Sequence, residues 1–301
     1  MDSSLGIEER SWSREEAYSY CAALARTHYE NFTVGSLLLP RDKRRHLYAI
    51  YGFCRFVDDL GDEARGERLS LLQRWEEELQ RCYSGTPHHP IMLALQDTVR
   101  AFDIPQEPFS KLIEANRMDQ RQQRYPTYEH LLHYCDHSAN PVGRLVLYVL
   151  GYRDGERQRL SDCTCTALQL TNFWQDIARD YRMGRVYIPL EDMERFGYSE
   201  EELARGTANE AFRKLVEFEV DRAEGLFRRG MPLVKMVDRD FSIDLALFTL
   251  GGLHVLKRIR RQDYDTLGCR PALSRGRKAW LLLSTWLRMR LGLAIPDFET
   301  L

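Results

Sequence analysis

Hydrophobic residues recur along the chain at intervals of three and four, the spacing that places them on one face of an α-helix. No stretch shows the alternation of strands joined by hairpin turns. Ser13 and Glu16 form a capping-box pattern, and Pro40 with Asp42 marks a second helix start. The sequence therefore predicts an all-α fold, with a loop or short turn after Pro189. Helices are expected at about 13–29, 40–64, 69–82, 90–102, 106–121, 127–136, 141–150, 157–182, 199–204, 208–229, 231–237, 241–262 and 273–291.

Two of the predicted helices carry acidic residues one turn apart within otherwise apolar sequence, YGFCRFVDDLGDE and LQLTNFWQDIARDY. Carboxylates four residues apart share a helix face and repel each other, and burial raises that cost because a buried charge needs a partner. A divalent cation bound to a polyanionic ligand would supply the partner, and aspartate oxygens are the hard donors that Mg²⁺ prefers. The pattern predicts a magnesium site with both helices facing one cavity. The polar positions are Asp58, Asp59 and Asp62 in the first stretch and Asn172, Asp176 and Asp180 in the second.

Ordinary ion pairing within a helix is the alternative explanation for the first cluster. Arg55 lies three and four residues before Asp58 and Asp59, and Arg65 lies three residues after Asp62. For one cluster alone, this explanation accounts for the pattern as well as a metal does. The same four-residue acidic step in a second apolar helix favours the metal.

Length, charge and cysteine usage limit the possible classes of protein. The 301 residues show no composition break, so a single domain over 1–301 is expected. A formal charge of −2 argues against a nucleic-acid partner. Seven scattered cysteines without CxxC pairs predict free thiols. The N-terminus is not typical of a signal or transit peptide, and the apolar run 245–256 is shorter than the ~20 residues of a membrane span, so we expect a cytoplasmic location.

Positive charge is concentrated in the C-terminal third of the chain. A solvated helix face is the ordinary explanation, and peripheral contact with anionic lipid near Trp280 and Trp286 is the alternative. Both interpretations stay open at this point. The basic residues are Lys257, Arg258, Arg260, Arg261, Arg275, Arg277 and Lys278.

The segments AIYGFCRFVDD, GRLVLYVLGY, LQLTNFWQDIARD and GRVYIPLED resemble the squalene/phytoene synthase family. The resemblance implies an isoprenoid synthase fold, a helical bundle around a central cavity, and Mg²⁺-dependent chemistry on an isoprenoid diphosphate. HYENFTVGSLLLP, SANPVGRLVL and TNFWQDIARDYRMGRVYIPLED are most similar to the hydroxysqualene synthase branch of bacterial hopanoid pathways. That branch implies loss of diphosphate from presqualene diphosphate, rearrangement of the cation and capture by water.

The resemblance also implies roles for individual residues. Tyr134 is the expected catalytic residue besides the acids, and Tyr134 and Asn140 are candidates for placing the attacking water. The implied Mg²⁺ ligands are Asp58, Asp62, Asn172, Asp176 and Asp180, with Asp59 supporting them. The implied substrate contacts are His28, Asn31, Tyr51, Arg55, Asp59, Gln169, Arg185 and Tyr187.

Four positions in three segments depart from the squalene and phytoene synthase pattern. Asn31 stands where serine is usual, Asn140-Pro141 where Ala-Gly is usual, and Gln175 where arginine often precedes the aspartate. These departures fit an enzyme that starts from the preformed cyclopropyl intermediate. The alternatives are a presqualene diphosphate, squalene or phytoene synthase that condenses two substrates head to head, and a noncatalytic scaffold of the same fold.

Overall fold

The computed structural model describes residues 11–27, 41–62, 64, 66–272, 276, 284 and 285. In these residues the regular structure is helical, and the only extended pairing is an isolated bridge between Arg124 and Val186. The all-α prediction is confirmed. The helices are α1 (Arg14–Thr27), α2 (Arg41–Asp62), α3 (Arg68–Ser84), α4 (Pro90–Phe102), α5 (Glu107–Arg121), α6 (Tyr128–Ser138), α7 (Asn140–Leu150), α8 (Gly155–Arg182), α9 (Leu190–Phe196), α10 (Glu200–Ala204), α11 (Glu210–Gly230), the 3₁₀-helix Met231–Lys235 and α12 (Arg239–Arg261).

Local sequence signals fix several helix ends. The capping box of α1 is formed, because the Glu16 amide donates to Ser13 Oγ at 3.3 Å and the Ser13 amide donates to the Glu16 carboxylate at 2.9 Å. α4 begins and ends where the pattern predicts. The stretch predicted as a helix at 231–237 is a 3₁₀-helix over Met231–Lys235. The helix predicted at 273–291 lies outside the described residues.

α9 is a difference between prediction and structure. Pro189 was interpreted as the end of local order, but it is the N-cap residue of this helix. The amides of Asp192 and Met193 donate to the Pro189 carbonyl at 3.1 and 3.0 Å. A proline at a helix start loses no helical hydrogen bond, since the first amides of a helix have no intrahelical acceptor. The proline therefore opens a helix that sequence reasoning had assigned to a loop.

The chain forms two compact units, Met1–Arg121 with Asp136–Gln158, and Gln122–Cys135 with Arg159–Leu301. α6 and α8 each contribute residues to both units. In the first unit, α2 packs against α1, α3, α4, α5 and α7. Phe53 of α2 is fully buried, with ring centroids 5.8 Å from Trp75 and 5.0 Å from Phe109, so it belongs to the core. In the second unit, α11 packs against α9, α12 and the 3₁₀-helix.

The cysteines and the basic residues follow the sequence expectations in part. All seven cysteines are free thiols, and Cys21, Cys82 and Cys135 are buried. Arg260 is not a free surface cation, because it pairs with Asp221 at 2.7 Å and with Glu224. The basic and aromatic residues that the proposed lipid contact has at 275–286 lie outside the described residues. Among the helices that are described, none is long and apolar enough to cross a bilayer.

Adjacent glycines in α12 give a stability test of this packing. A Cβ on Gly252 would overlap the buried Phe227 ring and press on Leu168, whereas a Cβ on Gly251 would meet nothing within 4 Å. We expect Gly252→Ala to lower the free energy of unfolding by about 1–3 kcal/mol, because it overfills a packed interior. Gly251→Ala should raise it by about 0.5–1 kcal/mol, because alanine favours helix. Urea denaturation measures both, and equal stability of the two variants would contradict the close approach.

Candidate active site

The first acidic face lies in the last turn of α2 and contains Asp58 and Asp62. Asp58 has an exposed side chain, yet surrounding protein atoms remove enough water to raise the pKa of its carboxyl to about 6. A hydrogen bond from Asn116 opposes the rise, and the negative charge of Asp62 adds to it. Asp58 is therefore protonated more readily than an ordinary surface aspartate.

Asn116 reaches Asp58 because α2 and α5 approach closely at Gly61. A Cβ on Gly61 would overlap the Asn116 side chain, so only glycine leaves room for the amide. Asn116 Nδ2 donates to Asp58 Oδ1 at 3.2 Å, and Gln120 Nε2 donates to the Gly61 carbonyl at 3.0 Å. The glycine in DDLGDE thus serves the acidic face directly.

Asp59 differs from its two acidic neighbours. Its carboxylate lies 2.5 Å from Arg55 Nη2, the i, i+4 ion pair that the alternative interpretation predicted. Asp62 has an exposed side chain. Arg65, the other arginine in that interpretation, lies outside the described residues. The ion-pair explanation is therefore correct for Asp59, and its carboxylate fits a supporting role.

The second acidic face runs along α8 at intervals of four residues, from Asn172 through Asp176 to Asp180. Burial first, and then the charge of Asp176, raise the pKa of Asp180 to about 7, while Arg185 and two other arginines oppose the rise. Asp176 is only 15% exposed and accepts two hydrogen bonds from Arg270, at 2.5 Å from Nε and 2.9 Å from Nη2. Sequence reasoning missed Arg270, which lies in a loop with no local motif.

Four aromatic rings pack beside this face. Tyr187 stacks on Phe173 with centroids 3.8 Å apart and an interplanar angle of 10°. Tyr134 lies 5.9 Å from Tyr187, and Tyr125 stacks on Tyr187 at 5.6 Å. All four side chains are buried. The structure thus brings together Tyr134 and Tyr187, both named from the resemblance, and adds Tyr125, which sequence reasoning missed.

Backbone pairing between distant segments positions Tyr187 and Arg185. The Val186 amide donates to the Gln123 carbonyl and the Leu190 amide to the Tyr125 carbonyl, each at 2.9 Å. This pairing sets Tyr125 against Tyr187. Arg185, Tyr187 and Asp180 then line a narrow crevice together with Phe173 and several apolar side chains. The pairing thus brings a guanidinium and a carboxylate to the edge of the aromatic rings.

The other predicted site residues are half-buried or lie outside the described residues. Tyr51 and Arg55 are half-buried on α2, and Gln169 is half-buried on α8. His28 and Asn31 lie outside the described residues. The prediction that the two acidic faces share one cavity stays a prediction.

The side chains on both faces fit a hard divalent cation. Each face offers carboxylate oxygens, and the pKa values of Asp58 and Asp180 are raised mainly because burial removes water from them, and further because another carboxylate lies nearby. Within the described residues, no group of three or more His, Cys, Asp or Glu side chains is arranged to hold a metal ion by itself. Each face therefore supplies only part of a ligand set, with the remainder left to an amide, water or ligand oxygens.

The raised pKa of Asp180 predicts the pH dependence of folding in chelator. Because the unfolded carboxyl ionises at lower pH than the folded one, Asp180 removes stability progressively as the pH rises from about 4 towards 7. Asp180→Asn should therefore raise the melting temperature at pH 8 and leave it nearly unchanged at pH 4. Glu77→Gln, at an exposed acid in the middle of α3, is the control. A stabilisation by Asp180→Asn that is independent of pH would contradict this assignment.

Known proteins resemble this chain over most of its length. Residues 25–277 match the squalene/phytoene synthase family. A 15-cis-phytoene synthase of Synechocystis sp. is 34% identical over 292 residues, covering 92% of this chain and 86% of that protein. The crystal structure of squalene synthase HpnC from Alicyclobacillus acidocaldarius is 46% identical with a TM-score of 0.82, covering 87% of this chain and 98% of that one. A dehydrosqualene synthase in complex with ligand is 27% identical with a TM-score of 0.83, covering 92% and 98%.

The similarities in sequence and structure agree with each other. The helical architecture is the isoprenoid synthase fold, which confirms the predicted fold class. Enzymes of this kind are of the prenyltransferase type and act on isoprenoid diphosphates. Since the family match covers most of the residues and includes both acidic helices, the chain belongs to the squalene/phytoene synthase family.

Proposed function

We propose that this protein is a hydroxysqualene synthase, which expels diphosphate from presqualene diphosphate, rearranges the resulting cation and lets water capture it. The observation that carries the proposal is the environment of Gln175. This residue replaces an arginine that is common in the resembling family, and it is buried, with its amide donating to the Pro271 carbonyl. A neutral, engaged amide offers no charge to a phosphate. One cation fewer suits a site that takes one diphosphate instead of two.

Some side chains at the site are assigned to the leaving diphosphate and others to the cation. Arg185 and Arg55 are assigned to the phosphate oxygens, since charged donors make the strongest hydrogen bonds to such anions. Mg²⁺, when bound, supplies Lewis-acid stabilisation of charge on the departing diphosphate. We assign its binding to Asp58, Asp62, Asn172, Asp176 and Asp180, with Asp59 in support. We assign further contacts near the diphosphate to His28, Asn31, Tyr51, Gln169 and Tyr187.

The aromatic rings beside α8 are assigned to the carbocation. A ring face attracts a cation by about 0.5–2 kcal/mol, more when water is excluded. Phe173 and Tyr187 are stacked and buried, and Tyr134 is buried beside them. Asn140, the other candidate for placing water, is buried and donates to Asp136 at 3.4 Å. We therefore assign the orientation of water to Tyr134, whose hydroxyl is both a donor and an acceptor.

Condensation of two prenyl diphosphates is the second candidate. The relative named 15-cis-phytoene synthase favours it, because its similarity to this chain covers both acidic helices. A noncatalytic scaffold is disfavoured, since such a protein has no need to keep crowded carboxylates whose pKa values are raised.

Incubation with a single substrate separates these candidates. Purified protein with presqualene diphosphate and Mg²⁺, without NADPH, should yield hydroxysqualene, because water is the only co-reactant that the reaction needs. Product analysis by mass spectrometry reports the result. Product that forms only from two prenyl diphosphates, or only with NADPH, assigns the protein to another branch. No conversion of any isoprenoid diphosphate would support the scaffold.

Substitution of one carboxylate on each face tests the metal assignment. Asp58→Asn and Asp176→Asn should each lower turnover at least about 100-fold, because loss of a ligand removes several kcal/mol of charge stabilisation. The fold should persist, because each change relieves repulsion between like charges and Arg270, which loses its charged partner in Asp176→Asn, is half-exposed and stays hydrated. Glu156→Gln, at an exposed acid on α8, is the matched control and should retain activity. Full activity of both aspartate variants would refute the assignment.

A further inference from the structure

A buried ionic cluster in the second unit joins three helices and has no assigned role. Arg222 Nη1 of α11 lies 2.5 Å from Asp192 Oδ2 of α9 and 3.2 Å from Glu219 Oε1 of α11. Asp192 and Glu219 are only 2% and 1% exposed. The second oxygen of Glu219 has no hydrogen-bond partner among the described residues. One guanidinium therefore serves two carboxyl groups that water does not reach, which is a costly arrangement for stability alone.

Two aromatic rings contact the guanidinium of Arg222: Tyr128 of α6 and Phe218 of its own helix, α11. The guanidinium carbon lies 4.2 Å from the ring centre of Tyr128 and 4.1 Å from that of Phe218. A planar guanidinium can stack on such rings and still donate in its own plane, whereas an ammonium cannot. The position is therefore specific for arginine.

The partners of Arg222 are the ends of the two segments that build the candidate site. Asp192 follows the segment that carries Arg185 and Tyr187, and Tyr128 follows the segment that carries Tyr125. The two segments pair through backbone hydrogen bonds, and the Tyr128 amide adds a bond of 2.7 Å to the Glu191 carboxylate. Arg222 thus contacts both segments at the point where the backbone pairing between them ends.

We propose that Arg222 is a positioning residue for the diphosphate site, acting through Asp192 and Tyr128 to hold Arg185 and Tyr187 in register with Tyr125. Arg222 itself lies in none of the groups assigned to substrate. The inference rests on the proposed function, because Arg185 and Tyr187 are assigned to the diphosphate there. Its consequence is that ligand affinity depends on a half-buried residue that touches no group assigned to substrate.

Because burial favours protonation of Glu219, a variant of the cluster with uncharged side chains is feasible. Burial, with the nearby charge of Asp192, raises the pKa of Glu219 well above its usual range, against the opposing charge of Arg222. The raised pKa favours the protonated form of Glu219, and glutamine is close to that form in shape and charge. Tyr128 is the titratable group that faces the cluster from α6.

Two variants that keep the fold test the positioning role. Arg222→Lys retains a positive charge for the carboxylates but loses the flat group between the rings. The triple variant Asp192→Asn, Glu219→Gln, Arg222→Met removes all charge from the cluster, so no carboxylate is stranded. Each should keep a melting temperature near that of the unmodified protein, and each should bind inorganic pyrophosphate with Mg²⁺ about 10- to 100-fold more weakly in calorimetry. Lys214→Met, at an exposed ion pair on α11, is the control and should bind normally.

The outcomes separate this inference from the function on which it rests. If the unmodified protein does not bind pyrophosphate with Mg²⁺, the proposed function fails. If it binds, and both folded variants bind equally well, only the positioning role of Arg222 is refuted. If Arg222 has only a structural role, each variant that keeps the melting temperature of the unmodified protein should also keep its affinity for pyrophosphate. In presqualene diphosphate turnover, positioning predicts a KM raised more than kcat is lowered.

Discussion

This site depends on one constraint: its carboxylates share a helix face and are partly shielded from water. The pKa values of Asp58 and Asp180, about 6 and about 7, bring both groups close to neutral pH. Loss of water is the main cost of ionising them, and the nearest positive or hydrogen-bonding groups offset part of that cost. The first face uses an amide, Asn116, and the second uses a guanidinium, Arg270, on the adjacent Asp176. Neither neighbour compensates its face completely, and this leaves each face able to gain from a further cation.

Close packing allows these partial partners to reach the acids. Gly61 lets Asn116 approach α2, so a small residue in the acidic motif controls the hydrogen bonding of Asp58. In the second unit, the segment after α8 turns back and pairs with residues 123–126, which brings Tyr125 onto Tyr187. The acidic faces and aromatic rings are thus products of tertiary packing around otherwise ordinary helices.

The sequence was sufficient to predict what depends on local periodicity. Helical spacing, the Ser13 capping box and the acidic steps of α2 and α8 all act within a few residues, and the structure has them where they were expected. Even the competing ion-pair interpretation was correct for Asp59, because Arg55 lies on the same helix.

What sequence reasoning missed depends on distant contacts or on an ambiguous signal. Asn116 is 58 residues from Asp58, and Arg270 is 94 residues from Asp176, so no local window contains either pair. Asn116 left a weak trace, as an amide on the buried side of α5 among Leu112 and Ile113. Arg270 left none. Pro189 is compatible with both a helix end and a helix start, and the surrounding tertiary structure decides between them.

Membership of the family does not determine the reaction, because diphosphate loss makes the same electrostatic demand in every branch. The acidic faces cannot distinguish one substrate from two, so discrimination must come from the number of positive groups around them. Gln175 holds the backbone at Pro271, next to Arg270, and Arg270 in turn contacts Asp176. The usual arginine is thus replaced by a residue that fixes the loop supplying a guanidinium. Arg270 is thus the arginine that contacts Asp176, and under the proposed function the neutral side chain at position 175 suits a single diphosphate.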